Sequence, residues 1–232
     1  MTKIYLVRHG QASFGAANYD QLSERGQMQA KALGRYFKRV LQQQPYVVAG
    51  ALQRHQHTAQ LALAASFAQA NIHTSTLWNE FDHQHVLAQY DPRFAEPQWL
   101  QQQLKDLKQP RDYLAQLFYP AMQRWSEANA EHQYQETWLD FQHRVKQALD
   151  ALCHEIAIHA PPVAVVFSSG GVISVAVAQV LGLSAQQTFA LNWQISNASF
   201  TTLTYVDGQL HLCSLNEHHY LLEQQPDLLT WL

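Results

Sequence analysis

The sequence predicts an α/β protein: a three-layer α/β/α sandwich with a mostly parallel central sheet and a helical insertion. Three observations carry this. Short apolar β-forming runs alternate with amphipathic stretches, first as strand–helix–strand–helix and again as a late strand–helix unit. That order gives parallel strands joined by helical crossovers and covered on both faces. The glycines fall at 10, 15, 26, 34, 50, 170, 171, 182 and 208, with none between Gly50 and Gly170. Tight α/β turns need glycine for close backbone approach, so the turn-rich frame lies toward the two ends and the middle is mostly helical. Finally, 232 residues with 47% hydrophobic content supply the core of a single domain, 1–232, with the insertion over 84–135.

Taken in order, "KIYLV" (Lys3–Val7) is strand one. A helix follows with Met28, Leu33, Phe37, Val40 and Leu41 at helical spacing and Ser23 as its N-cap. Lys38–Val40 is the solvated end of that helix. Tyr46–Gly50 is strand two, "LQRHQHTAQLALAASFA" the next helix, and Ile72–Leu77 strand three. Prolines at 92, 97, 110 and 120 then break the chain into short helices. Thr137 and Asp140 form a capping box for a helix with Trp138, Phe141, Val145, Leu149, Leu152 and Ile156 on one face. Pro161 and Pro162 stop it. "VAVVF" is a buried strand, "GVISVAVAQVLGL" a helix ending at Gly182, and Asp207-Gly208 the type I′ turn of a closing hairpin.

Composition narrows the function classes. The formal charge is −3 with no basic block, so no nucleic-acid footprint exists and no such partner is expected. No apolar run reaches membrane-spanning length, and "MTKIYLVRHG" lacks the apolar stretch of a signal peptide. The expected location is the cytoplasm, with no membrane partner; a homodimer is compatible with the chain. Cys153 and Cys213 fit neither a disulfide framework nor a zinc pattern and read as buried thiols. The histidine pairs 55/57 and 83/85 are spaced i, i+2, which does not share a helix face, so no metal is assigned. No cofactor is expected.

Ligands of such sheets bind beyond the carboxyl ends of the strands. Two polar glycine turns stand there: "RHGQAS" after strand one and "SSGG" after "VAVVF". If those strands are neighbours, both turns reach one site. Arginine offers a planar fork of donors suited to phosphate oxygens. A neutral histidine is a nucleophile at ordinary pH. Gly10 lets a tetrahedral group approach the backbone.

"LVRHGQASFG" with "LSERGQMQAKALG", then "GALQRHQHTA" and "VAVVFSSGGVISVAVAQVLGL", resembles the histidine phosphatase superfamily, phosphoglycerate mutase-like branch. The final "NASFTTLTYVDGQLHLCSLNEHHYL" looks like the closing strands of that family. The resemblance implies that His9 attacks phosphorus and becomes phosphohistidine. It implies that Arg8 and Arg54 hold the phosphoryl group, and that Glu80 in "LWNEFDHQHV" is the general acid, with Asp82 as rival. Ser169 and Gly170 of the late turn would bind the phosphate, and Gln11 and Ser13 would line the pocket.

Three departures matter. Gly50 stands for a family serine. The family's late turn is Ser-His-Gly-Gly, whereas here it is Ser168-Ser169-Gly170-Gly171, so one cationic partner is missing. His83 is the first candidate to replace it, ahead of His55, His57 and His85. Gln11-Ala12-Ser13-Phe14-Gly15 lacks the mutase pattern Glu-Ser/Thr-x-x-Asn. The expected activity is therefore a cofactor-independent phosphomonoesterase acting on a small phosphorylated substrate. The alternatives are a phosphoglycerate mutase-type phosphotransferase and a weakly active phosphate-binding regulatory or interaction protein. Tyr90, Arg93, Trp99 and Trp125 of the insertion would roof the pocket or, as favoured for most of them, pack as its core.

Overall fold

The computed structural model describes residues 1–13, 20–104, 110–127 and 133–231. Phe14 and Gly15 of the first loop, and residues 105–109 and 128–132 of the predicted insertion, lie outside the described residues. In chain order the elements are β1 (Thr2–Arg8), α1 (Glu24–Val40), β2 (Tyr46–Ala49), α2 (Gln53–Leu63) and β3 (Ile72–Thr74). Then come α3 (His83–Tyr90), α4 (Pro97–Leu104), α5 (Pro110–Trp125) and α6 (Trp138–His159). The chain closes with β4 (Val163–Ser168), α7 (Gly170–Leu181), α8 (Ala185–Asn192), β5 (Phe200–Val206), β6 (Gln209–Glu217) and α9 (His219–Gln224).

The sheet runs β3-β2-β4-β1-β5-β6. The first four strands in that order pair parallel; β5 and β6 pair antiparallel. Strand periodicity divides the core. Ile4 and Leu6 of β1, with Ala164 and Val166 of β4, face one apolar layer under α6 and α7. Tyr5, Val7, Val165 and Phe167 face the other, under α1, α2 and α9. This is the predicted three-layer architecture. Because β1 and β4 are neighbours with Arg8 opposite Ser168, the two glycine turns emerge side by side.

The local signals work as read. Ser23 caps α1, accepting from Gly26 N. Thr137 and Asp140 form a reciprocal capping box on α6. Gly182 ends α7 in the left-handed region, and Asp207 and Gly208 both take positive φ in the hairpin turn.

Other expectations need correction. Met28 and Val40 are 43% and 40% exposed; α1 instead buries a small-residue face of Gly26, Ala30 and Gly34 together with Leu33 and Phe37. Close packing against α2 selects the small residues: a Cβ at 34 would fall 2.6 Å from Ala62 O. Cys213 is exposed, because alternation along the edge strand β6 turns it outward, and Cys153 is only half-buried. Pro120 does not break α5, which runs through it, although Pro97 and Pro110 do open helices. β3 is shorter than the run 72–77 and hands over to a 3-10 turn at Thr76–Trp78. Among the described residues no helix is long and apolar enough to cross a membrane.

Candidate active site

β1 delivers Arg8 and His9 to the carboxyl edge of the sheet. The His9 N–H donates to Ser168 O at 2.9 Å, and Ala198 N–H donates to His9 O at 3.1 Å, so the turn is held from both sides. Gly10 N–H donates to Thr58 Oγ1 at 3.1 Å, and that hydroxyl donates to Arg54 O at 2.6 Å. The chain carrying His9 is thereby tied to the first turn of α2, which carries Arg54.

The imidazole of His9 has one defined role. Its Nδ1 lies 2.7 Å from Gly10 O. A carbonyl can only accept, so Nδ1 carries the proton and Nε2 keeps the lone pair. Burial, then the Arg54, His55 and Arg8 side chains, hold its pKa well below the ordinary histidine value. His9 is therefore a neutral imidazole near neutral pH, with the lone pair on Nε2.

Arg8 donates to Ile195 O and, at 3.1 Å, to Trp231 O. Arg54, nine-tenths buried, pairs with Asp20 Oδ1 at 2.7 Å. Arg8, His9, Arg54, Glu80 and His83 all line one cavity of about 150 Å³, as does Gly170.

Glu80 sits against the start of α7. Gly171 N–H donates to its Oε2 at 3.0 Å, and Phe81 N–H to its Oε1 at 3.2 Å. Only glycine fits at 171: a Cβ there would lie 2.3 Å from Glu80 Oε1. Burial pushes the Glu80 carboxyl above its usual range, against the opposing pull of Gly171 N–H and Arg54. The rival Asp82 is exposed and spent as the N-cap of α3, accepting from His85 N at 2.9 Å.

The SSGG turn differs most from expectation. Ser169 is 1% exposed, and its Oγ lies 2.6 Å from Nε2 of His55, which is itself fully buried. Neither residue walls the cavity. The His55 ring flanks His9 with centroids 5.6 Å apart. Room for it comes from Gly50, where a Cβ would fall 2.1 Å from His55 Nδ1. So the histidine that meets Ser169 is His55, not His83, and the two departures at 50 and 169 belong to one packing arrangement. Burial and Arg54 hold His55 well below the ordinary histidine pKa. Burial, then Arg54, push His83 down to about 4, against Asp82. Neither adds positive charge near neutrality.

Gln11 and Ser13 do not wall the cavity either. Gln11 N–H donates to Gln29 Oε1 at 2.8 Å and its Oε1 accepts from Ser23, so it braces the loop against α1. Ser13 N–H donates to Gln21 O. Among the four aromatic or cationic residues considered as a roof, Trp125 is buried core, Tyr90 is exposed and Arg93 stacks over Trp99. The walls come instead from Phe118 and Met122 of α5, Thr188, Phe189 and Asn192 of α8, and Trp193 and Trp231. The i, i+4 spacing of Phe118 and Met122 was the available signal for the first two. Among the described residues no three His, Cys, Asp or Glu side chains gather as a metal site requires.

The family model "Histidine phosphatase superfamily (branch 1)" matches residues 4–218. A phosphoglycerate mutase from Bacillus anthracis is similar in fold, with TM-score 0.64 and 19% identity over 96% of each chain. A putative alpha-ribazole-5'-P phosphatase from Escherichia coli matches with TM-score 0.64 and 21% identity over 94% of this chain and 98% of that one. A mycobacterial glucosyl-3-phosphoglycerate phosphatase complexed with inorganic phosphate gives 0.60 and 20% over 95% and 99%. Among curated proteins, none matches the chain.

Proposed function

Because the chain belongs to branch 1 of the histidine phosphatase superfamily, we propose that it is a phosphomonoesterase working through a phosphohistidine. The observation that carries this is the convergence of Arg8, His9, Arg54 and Glu80 on one cavity. Nε2 of His9 attacks phosphorus; a P–N bond forms as the ester P–O bond breaks. The protonated Glu80 carboxyl gives its proton to the leaving alcohol oxygen. Arg8 and Arg54 neutralise the phosphoryl oxygens as charge spreads over them. In the second half, the Glu80 carboxylate takes a proton from water while the water oxygen attacks phosphorus. The P–N bond breaks, phosphate leaves and neutral His9 returns.

Support for the acid assignment is the opposite tuning of the two groups. Burial disfavours charge on both, lowering the histidine's pKa and raising the carboxyl's. The test is hydrolysis of p-nitrophenyl phosphate by wild type, His9→Ala and Glu80→Gln. Wild type is expected to turn over with His9→Ala at background. Wild type no better than His9→Ala would sink the enzyme reading and leave a phosphate-binding protein.

A further inference from the structure

We propose that the alcohol released at this site is aromatic or otherwise apolar, so that the substrate is an aryl-type phosphate monoester and not a phosphorylated hydroxy acid or polyol. This rests on the reading above, in which the arginine end of the cavity holds the phosphoryl group.

The cavity combines charged and apolar wall residues. Beyond Arg8, His9, Arg54, Glu80 and His83, its walls include Phe118, Met122, Trp138, Phe141, Phe189 and Trp193. These rings contact one another as well as the cavity: Trp138 lies 4.8 Å from Phe189, and Phe118 meets Trp193 edge-on at 6.0 Å. The apolar part of the wall is thus largely aromatic, and ring faces and edges suit another ring.

Charge excludes the acidic alternatives. Among the described wall residues Arg8 and Arg54 are the arginines, no lysine is present, and Glu80 is the carboxyl. With both arginines at the phosphoryl end, a second anionic group would find no further arginine or lysine among the described wall residues, and Arg111 beside them is engaged by the Trp193 carbonyl and the Trp231 ring. Burying a carboxylate without a partner is strongly unfavourable.

Hydrogen bonding works against the polyols. Two of the remaining polar wall residues are Ser174 and Thr188. The Ser174 hydroxyl donates to Gly170 O at 2.7 Å and the Thr188 hydroxyl to Ser184 O at 2.8 Å. Each donor is used within its own helix, so these side chains can only accept. Asn192 supplies a side-chain amide to the wall, its Oδ1 near Gly170, where a Cβ would lie 2.5 Å from it. A sugar-like leaving group would bury hydroxyls that find too few partners. The rim is also fixed. Arg111 donates to Trp193 O and stacks on Trp231 at 4.8 Å from the ring centroid, while Trp231 O accepts from Arg8.

Phosphonates test this, because their P–C bond survives any turnover. Affinities of phenylphosphonate, methylphosphonate and phosphonoacetate are measured by calorimetry for wild type, Phe118→Ala and Trp193→Ala. Thermal melts confirm that the variants fold. Phenylphosphonate is expected to bind at least tenfold more tightly than methylphosphonate, and phosphonoacetate no more tightly than methylphosphonate. Each variant is expected to narrow the phenyl preference while leaving methylphosphonate affinity within about twofold. Equal phenyl and methyl affinities, a preference for phosphonoacetate, or no phosphonate binding at all would overturn the proposal. Failure to hydrolyse p-nitrophenyl phosphate alongside a phenylphosphonate preference would overturn the enzyme reading and leave this one standing.

Discussion

Replacing Gly50 with alanine tests the packing behind His9. The added Cβ would lie 2.1 Å from His55 Nδ1 and 2.9 Å from both His55 Cε1 and Trp78 O. Ordinary carbon contacts are about 3.5–4.0 Å, so the ring must move by more than an ångström. It has nowhere to go: His55 is fully buried and its Nε2 is bonded to Ser169 at 2.6 Å. Overpacking of this kind costs about 1–3 kcal/mol. Breaking the His55–Ser169 bond leaves two buried polar groups unpaired, roughly another 1–3 kcal/mol. The two costs overlap, and alanine restricts the unfolded chain in its favour by about 0.4–1 kcal/mol. A net loss of about 2–4 kcal/mol follows, or roughly 5–15 °C in Tm for a chain of this size. Urea and thermal denaturation of wild type, Gly50→Ala, His55→Ala and the double variant form a cycle. In the His55→Ala background the ring is gone, and the alanine at 50 should cost at most about 1 kcal/mol. An equal cost in both backgrounds, or no cost in wild type, would refute the coupling of 50, 55 and 169.

Gly171→Ala puts a Cβ 2.3 Å from Glu80 Oε1; the displaced carboxyl should lower kcat by about 10²-fold with little change in Tm, and a Tm loss without a rate loss would contradict the assignment of Glu80. The kcat/KM–pH profile should fall on its alkaline side as Glu80 ionises at its raised pKa, and Glu80→Gln should abolish that limb. Stability should decline with acid below about pH 6.5, where unfolded histidines take up protons. His9 and His55, whose folded pKa values are depressed, refuse those protons, so the unfolded state binds more and stability rises with pH across that window. Each contributes a slope of about 1.4 kcal/mol per pH unit. Glu80, with its raised pKa, acts in the opposite sense just above the ordinary carboxylate range. His55→Gln should remove one histidine's share of the slope measured by urea denaturation between pH 5 and 7; an unchanged slope would show that His55 titrates normally in the fold.

Strand–turn–helix units were legible because their chemistry is contiguous: β1 with Arg8 and His9, α2 with Arg54, β4 with its glycine turn. Each needs a particular residue at a fixed offset from a strand end, and that offset survives in the sequence. The role of His55 was not legible, because it depends on Gly50 leaving space and on Ser169 arriving from 114 positions away. The cavity walls were harder still. Trp125 and Trp193 look alike as letters, yet one is 2% exposed core and the other lines the cavity. Which way an aromatic faces is settled by tertiary packing, not by local pattern.

The exchange at 169 has an electrostatic consequence. A histidine moved from a turn to a helix could in principle carry its charge along, but His55 lies beside Arg54 in a buried setting that keeps it neutral. The arrangement therefore keeps an imidazole beside Ser169 without its charge. In the proposed reaction Arg8 and Arg54 balance the phosphoryl dianion, and Asp20 already draws on Arg54 at 2.7 Å. An ionised Glu80 in the same cavity would cancel much of what is left. Burial disfavours that charge by raising the carboxyl's pKa; in the proposed reaction the protonated form is the proton donor and also spares the site a negative charge. The alkaline limb should accordingly appear in KM as well as in kcat, because ionisation of Glu80 weakens phosphate binding at the same time as it removes the acid. A limb confined to kcat would mean that the two arginines hold the dianion without this help.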